Sequence, residues 1–170
     1  IAWRYLGFSH YQFRENADSI AANPNFKNNQ LEKARAALLR SVALNDTNFT
    51  NRNFLIQIYT ALDSTQALLD QHKEMLNLIN GKEAEYKDQY IASNSALGYN
   101  AYDRKAYAAA IPYYLRLSKY KTDISTLKIL MSCYLQSSNN EEAINYARRI
   151  LKISPNDKDA KKVLRALSAD

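Results

Sequence analysis

At 170 residues the chain is long enough for one globular domain or one short repeat array and leaves little room for two independent domains. Three Gly, three Pro and 46% apolar residues suit helices joined by short polar turns and exclude a Gly-rich all-β fold, while a single Cys and two His exclude a disulfide framework and a Cys-rich zinc site. The formal charge of +6 belongs to the second half: residues 86–170 carry 14 Lys/Arg against 8 Asp/Glu, so a basic surface is expected only there.

The apolar period gives two helices per segment along the whole chain. The first pair, residues 1–45, opens on Trp3, Leu6 and Gly7, with His10 on the apolar side beside Leu6 and Phe13. Its first helix is expected to run on through Ala17 and Ile20, with a break over Asn23 to Asn28, and Asn29 followed by Glu32 reads as a capping box. The second pair, residues 49–80, is the most degenerate: Leu55, Ile56 and Tyr59 precede a break at Asp63-Ser64, Leu68 follows where a small residue would pack better, and Asn80-Gly81 is the stop. The third pair, residues 82–121, reads as a lengthened helix from Lys82 to Arg104, a break at Lys105, and a second helix in which Pro112 predicts a kink or a late start, with a further break at Lys121-Thr122. In the fourth pair, residues 123–154, Leu127, Leu130, Met131 and Tyr134 recur at helical steps around a core thiol at Cys133, a break falls at Ser138, and Asn139 with Glu142 starts a helix carrying Ala143, Ala147, Ile150 and Leu151 to a stop at Ser154. Residues 155–168 form a terminal helix with an apolar stripe of Ala160, Val163, Leu164 and Leu167.

The last two pairs repeat. Sliding residues 91–123 onto 124–156 without gaps superposes Ile91 on Ile124, Leu97 on Leu130, Ala110 on Ala143, Ile111 on Ile144, Tyr113 on Tyr146, Arg116 on Arg149 and Lys119 on Lys152, a spacing of 33. Trp3, Leu6, Gly7 and the neighbouring Tyr11, then Leu97, Gly98 and Ala110, then Leu127, Tyr134, Ala143 and Pro155, resemble the tetratricopeptide repeat pattern W-x2-L-G-x2-Y, A-x3-F, P. Each small residue has a packing reason, since Gly7, Gly98, Ala110 and Ala143 let helix backbones approach closely. The resemblance implies an all-α fold, a right-handed superhelical solenoid of antiparallel helix pairs in a single domain, with the terminal helix as its cap.

The same resemblance implies a protein-binding scaffold whose concave face is lined by the first helix of each pair. The residues on that face are Arg4, Phe8 and Tyr11; Asn53, Gln57 and Thr60; Ser95, Tyr99 and Tyr102; Lys128, Ser132 and Leu135, each triplet spaced i, i+4, i+7. For the aromatic members the competing role is packing between pairs. Phe8, Ala92 and Ala96 stand where a chaperone-tail carboxylate clamp of this family would need polar or basic residues, so that ligand is not expected.

No nucleophile with a base, carboxylate pair, metal set or phosphate loop is legible, so neither catalysis nor a cofactor is expected. The partner is expected to be a protein or peptide, a second copy of the chain included. Nucleic acid or another anionic surface is the rival reading, through Arg148, Arg149, Lys152, Lys161, Lys162 and Arg165 of the last two helices. These cations lack interleaved aromatics, and cations near helix C-termini have a local reason to be there. No run of 18 apolar residues exists, so no membrane span is expected. The chain opens on Ile1 within a helical period, which leaves open whether a signal or further repeats precede it, and the compartment has no marker here.

Overall fold

A computed structural model describes residues 1–45, 49–120 and 123–167. Among the described residues there are ten α-helices and no strand, and the chain divides into two compact units, Ile1–Lys82 and Glu83–Asp170.

The first unit holds α1 (Ala2–Phe13), α2 (Ala17–Ala22), α3 (Phe26–Leu44), α4 (Phe49–Ala61) and α5 (Thr65–Ile79). Helix α1 pairs with α3, α3 packs on α4, and α4 pairs with α5. Helix α3 buries Leu31, Ala34 and Leu38 at three- and four-residue steps, α4 adds Leu55, Ile58 and Tyr59, these six form one core cluster of the unit, and α5 buries Leu69, Met75 and Ile79. Gly7 is what lets α1 approach: a Cβ placed there would stand 2.6 Å from Leu38 Cγ and 3.3 Å from the Ala34 carbonyl oxygen. Its backbone carries no positive φ, so the requirement is for space and not for conformation.

Several expectations for this unit are corrected. The first helix does not run on to Ile20, because it stops at Phe13 and Asn16 starts a separate short helix, its side-chain oxygen accepting the Ser19 amide at 2.9 Å. Asn competes for backbone amides better than it extends a helix, so a cap interrupts the apolar period. Likewise α3 begins at Phe26, with Asn25 at its N-cap, so the break does not extend to Asn28. The Asn29-Glu32 capping box does not form, because Asn29 already lies within the helix, its amide bonded to the Asn25 carbonyl at 3.0 Å. The apolar side assigned to His10 also differs, since Leu6 and Phe13 are exposed and His10 Nδ1 instead meets Gln30 Oε1 at 2.7 Å.

The second unit holds α6 (Lys87–Asp103), α7 (Tyr107–Ser118), α8 (Ile124–Gln136), α9 (Asn140–Ile153) and α10 (Lys158–Leu167), each packed on the next. Its core runs from Ala110, Tyr114 and Leu117 of α7 through Leu127, Leu130 and Cys133 of α8 to Ala143, Ala147 and Ile150 of α9, and ends on Ala160 and Val163 of α10. Gly98 permits the α6–α7 approach, for a Cβ there would meet Tyr113 Cβ at 3.0 Å and the Tyr114 ring at 3.2 Å. Burial pushes the Cys133 thiol up to about 11, as a core sulfhydryl requires.

The turns inside the pairs share one geometry. Asp63, Lys105 and Ser138 have φ of 51°, 60° and 59°, and the amide after each (Ser64, Ala106, Asn139) returns to the carbonyl five residues earlier (Tyr59, Ala101, Tyr134) at 2.9 Å in each case. This is the left-handed C-terminal closure of a helix, and it falls at three of the expected breaks, while Gly81, with φ 81°, closes α5. The break expected at Lys121-Thr122 lies outside the described residues.

The lengthened third-pair helix is shorter than expected, starting at Lys87 instead of Lys82. Pro112 does not delay α7, which starts five residues earlier at Tyr107 and continues to Ser118. The Asn139-Glu142 box is half made: Asn139 Oδ1 accepts the Glu142 amide at 3.2 Å, but the Glu142 carboxylate accepts from Asn145 Nδ2 and does not reach back. Asp123 and Asp157 cap α8 and α10 by accepting the Thr126 and Ala160 amides at 2.7 and 3.0 Å. Because Ala143 is fully buried where α9 meets α8, Ala143→Leu should destabilise by about 1–3 kcal/mol through overpacking. A shift of the denaturant midpoint at constant slope would register that loss; an unmoved midpoint would place Ala143 in slack packing.

Candidate functional site

The expected face divides between the two units, and each part behaves differently. In Ile1–Lys82, Phe8 and Tyr11 of α1 meet Phe54 of α4, with ring centroids 4.3 and 5.1 Å apart, and the Tyr11 hydroxyl donates to Gln57 Oε1 at 2.7 Å. Both rings are half-buried against the core of the unit, so Phe8 and Tyr11 pack between α1 and α4. Arg4 places its guanidinium 5.8 Å from the Phe8 ring and Arg14 stands 3.7 Å over Tyr11, which closes the aromatic row further. Asn53 is half-buried on α4, while Gln57 and Thr60 are exposed, Thr60 Oγ1 donating back to the Ile56 carbonyl. Phe54, the ring that joins Phe8 to Tyr11, is absent from the expected face because it lies one position off the Asn53-Gln57 row, and only the α1–α4 contact singles it out.

In Glu83–Asp170 three helices turn comparable faces to one surface. Helix α6 presents Ser95, Tyr99 and Tyr102, α8 presents Lys128, Ser132 and Leu135, and α10 adds Asp159, Val163 and Ala166, all at i, i+4, i+7. Tyr102, Lys128, Ser132 and Leu135 come together in an open cleft of about 430 Å³, floored by Ile129, Met131, Val163 and Leu167. A second depression of about 310 Å³ holds Ser95 and Tyr99 with Tyr114, Leu117 and Ser125, and Ile129 belongs to both, so the surface is continuous along α8.

The aromatic pair expected to act together splits. Tyr99 is 65% exposed, whereas Tyr102 is half-buried, its hydroxyl 3.3 Å from Ser132 Oγ and its ring edge-on to Tyr107 at 5.6 Å. Lys128 is not an unengaged groove cation: its ammonium donates to Asp159 at 2.9 Å and pairs with Asp157 at 2.7 Å, which ties α8 to the first turn of α10. Lys128 holds the Asp157 carboxyl below the usual range, with help from the Ala160 amide, and Asp157 and then Asp159 raise Lys128 in return. The contribution of the pair is therefore present at neutral pH, lost as pH falls below the ordinary Asp range through the lowered value, and lost again above the ordinary Lys range.

The α10 wall, with Asp159, Lys162, Val163 and Ala166, was not expected in the cleft: the sequence placed Lys162 only in the basic set and Val163 only in the apolar stripe of the cap. A signal was available, because Asp123 and Asp157 cap α8 and α10 in the same way, and counting from those caps puts Lys128 and Lys162 at the same place. Of the cations in the rival set, Arg148, Arg149 and Lys152 lie on α9, where Arg149 stands 4.6 Å over the Tyr146 ring, while Lys161, Lys162 and Arg165 lie with Lys158 around a third depression of about 480 Å³ on α10. Among the described residues no three His, Cys, Asp or Glu side chains gather as a metal site, and no helix is long and apolar enough to cross a membrane.

Fold and surface together define an all-α helical-repeat protein built of antiparallel pairs. Among solved structures the chain is similar to one described as the crystal structure of the APC/C hetero-tetramer Cut9-Hcn1, at 21% identity and a TM-score of 0.48, with 97% of this chain and 29% of that chain covered. The chain thus spans under a third of the length of that relative. No protein-family model matches the sequence, and no curated protein matches it.

Proposed function

We propose that the chain is a non-catalytic, tetratricopeptide-like interaction domain that binds a protein or peptide on the first-helix faces of its pairs. One observation carries the reading: three alternate helices of Glu83–Asp170, α6, α8 and α10, present i, i+4, i+7 faces, and Tyr102 of α6 meets the α8 and α10 faces in a cleft of about 430 Å³ with an apolar floor and a polar rim. That volume falls within the span of about 300–1,000 Å³ common to ligand sites, and an open trough of this composition suits side chains of a peptide laid across it. On the first unit the polar edge of Arg4, Asn53 and Gln57 is the corresponding surface, with Phe8 and Tyr11 supporting it from beneath.

Tyr99 is the sharpest probe, because it is exposed and rigid while its neighbours are engaged. Tyr99→Ala should weaken a peptide selected on the full chain by at least about 2 kcal/mol, as a contact hot spot does, and should leave thermal melting unchanged. Tyr102→Ala, which also removes the Ser132 contact, should lower the melting temperature as well. Selection of peptides from a displayed random library, followed by affinity and melting on one sample, separates the two. An affinity unmoved by Tyr99→Ala would take the α6 face out of the binding surface.

A further inference from the structure

We infer that the partner docking on the second unit is an acidic amphipathic peptide segment, its apolar side chains seated in the α8–α10 cleft and its carboxylates set against the cations of α10. This rests on the scaffold reading above and adds the chemistry of the partner. The floor of the cleft, Ile129, Met131, Leu135, Val163 and Leu167, offers no side-chain nitrogen or oxygen, and its one sulfur, in Met131, is only a weak acceptor, so whatever fills it must bring apolar groups.

Around Lys128 the carboxylates outnumber the cation: Asp157 and Asp159 against one ammonium leave one net negative charge, so this end of the cleft attracts no further anion. Farther along α10 four cations outweigh it. Lys162 lines the cleft and, with Lys158, Lys161 and Arg165, also lines the adjoining depression of about 480 Å³. Lys162 and Ala166 belong to both hollows, which makes the apolar trough and the cationic shelf one continuous surface. The hydrogen bond from Lys161 Nζ to Asn156 Oδ1 is to a neutral amide and leaves its charge uncancelled. Among the described residues no carboxylate is in ion-pair contact with these four cations.

A ligand for such a surface must present apolar groups and anionic groups side by side. An acidic amphipathic peptide does so, and its carboxylates match dispersed ammonium and guanidinium groups at a solvent-exposed rim, where they steer association. A nucleic acid would supply the anions but would need stacking platforms, and the shelf is lined by Lys, Arg and Ala alone.

The test selects peptides from a random displayed library on the immobilised full chain, then measures one enriched peptide by fluorescence anisotropy. The enriched sequences should combine Asp or Glu with Leu, Ile or Phe, and Lys162→Glu with Arg165→Glu should weaken the peptide about tenfold, with a reduced salt dependence. Lys162→Gln with Arg165→Gln, the gentler pair for an exposed helix face, should move affinity in the same direction by less. Arg148→Glu with Arg149→Glu on α9 should leave it within about twofold, as sites away from the cleft do. Enrichment of neutral or basic sequences, or full affinity in both α10 pairs, overturns this inference and leaves the scaffold reading standing. No enrichment over a bare support overturns both. Tight binding of oligouridylate at physiological salt, lost in the α10 variants and competing with the peptide, overturns it in favour of nucleic acid.

Discussion

Leu38→Ala should cost the first unit about 2–5 kcal/mol, because the side chain is fully buried and its loss leaves a cavity against α1. The single tryptophan, Trp3, lies on α1 under the Arg40 guanidinium at 4.7 Å, so its fluorescence reports unfolding of this unit. Gly7 makes the expectation sharper. Alone, Gly7→Ala gains about 1 kcal/mol of helix propensity but drives a methyl to 2.6 Å from Leu38 Cγ, and overpacking of about 1–3 kcal/mol outweighs the gain. In the Leu38→Ala background the contacts under 3 Å are gone and only the 3.3 Å approach to the Ala34 carbonyl oxygen remains, so the added methyl should recover part of the lost stability. The sign of Gly7→Ala thus reverses with residue 38. If the two substitutions were additive, α1 and α3 would not meet as the Gly7–Leu38 contact requires.

Removing residues 157–170 should be as severe for the second unit, by about 3–5 kcal/mol, since α10 buries Ala160 and Val163 and half-buries Leu164 and Leu167 on the core. The exposed edge of α9 should then promote association. Cys133 is the reporter: its thiol is buried and pushed up to about 11, so it should label slowly in the whole chain and much faster in the truncated one. Peptide binding should be lost with it, because α10 is a wall of the cleft. Asp157→Ala, which removes a cap and one partner of Lys128 while keeping the apolar stripe, should have a smaller effect. A truncated chain that is monomeric, with Cys133 as protected as before, would show that α10 does not cover the core.

Both experiments test features that were legible to different degrees. The helix pairs, the apolar stripes of α8, α9 and α10, and the small residues Gly7, Gly98, Ala110 and Ala143 follow from periodicity, because burial of one face repeats every three to four residues. Turn positions were legible for the same local reason: Asp63, Lys105 and Ser138 follow helices whose apolar period ends beside them, and each adopts the left-handed closure. Local signals fail where two of them compete. At Asn16 a side-chain cap defeats a continuing apolar period, and at Pro112 the helix tolerates one lost hydrogen bond because Ala110, Tyr114 and Leu117 remain buried around it.

The sequence by itself determined the all-α class, the 33-residue spacing of the last two pairs, and the rows i, i+4, i+7 that share a helix face. Tertiary structure alone decided what each row touches, because a period names the face of a helix but not its neighbour. Phe8 and Tyr11 obey the same spacing as Tyr99 and Tyr102, yet Phe54 covers the first two, Ser132 and Tyr107 engage Tyr102, and only Tyr99 stays open. Lys128 reads as a groove cation until Asp157 and Asp159, about thirty residues away, neutralise it across the α8–α10 contact. That contact also makes a helix expected to serve as a cap into one wall of the cleft, since docking its apolar stripe on α9 leaves Lys162 and Ala166 facing α8.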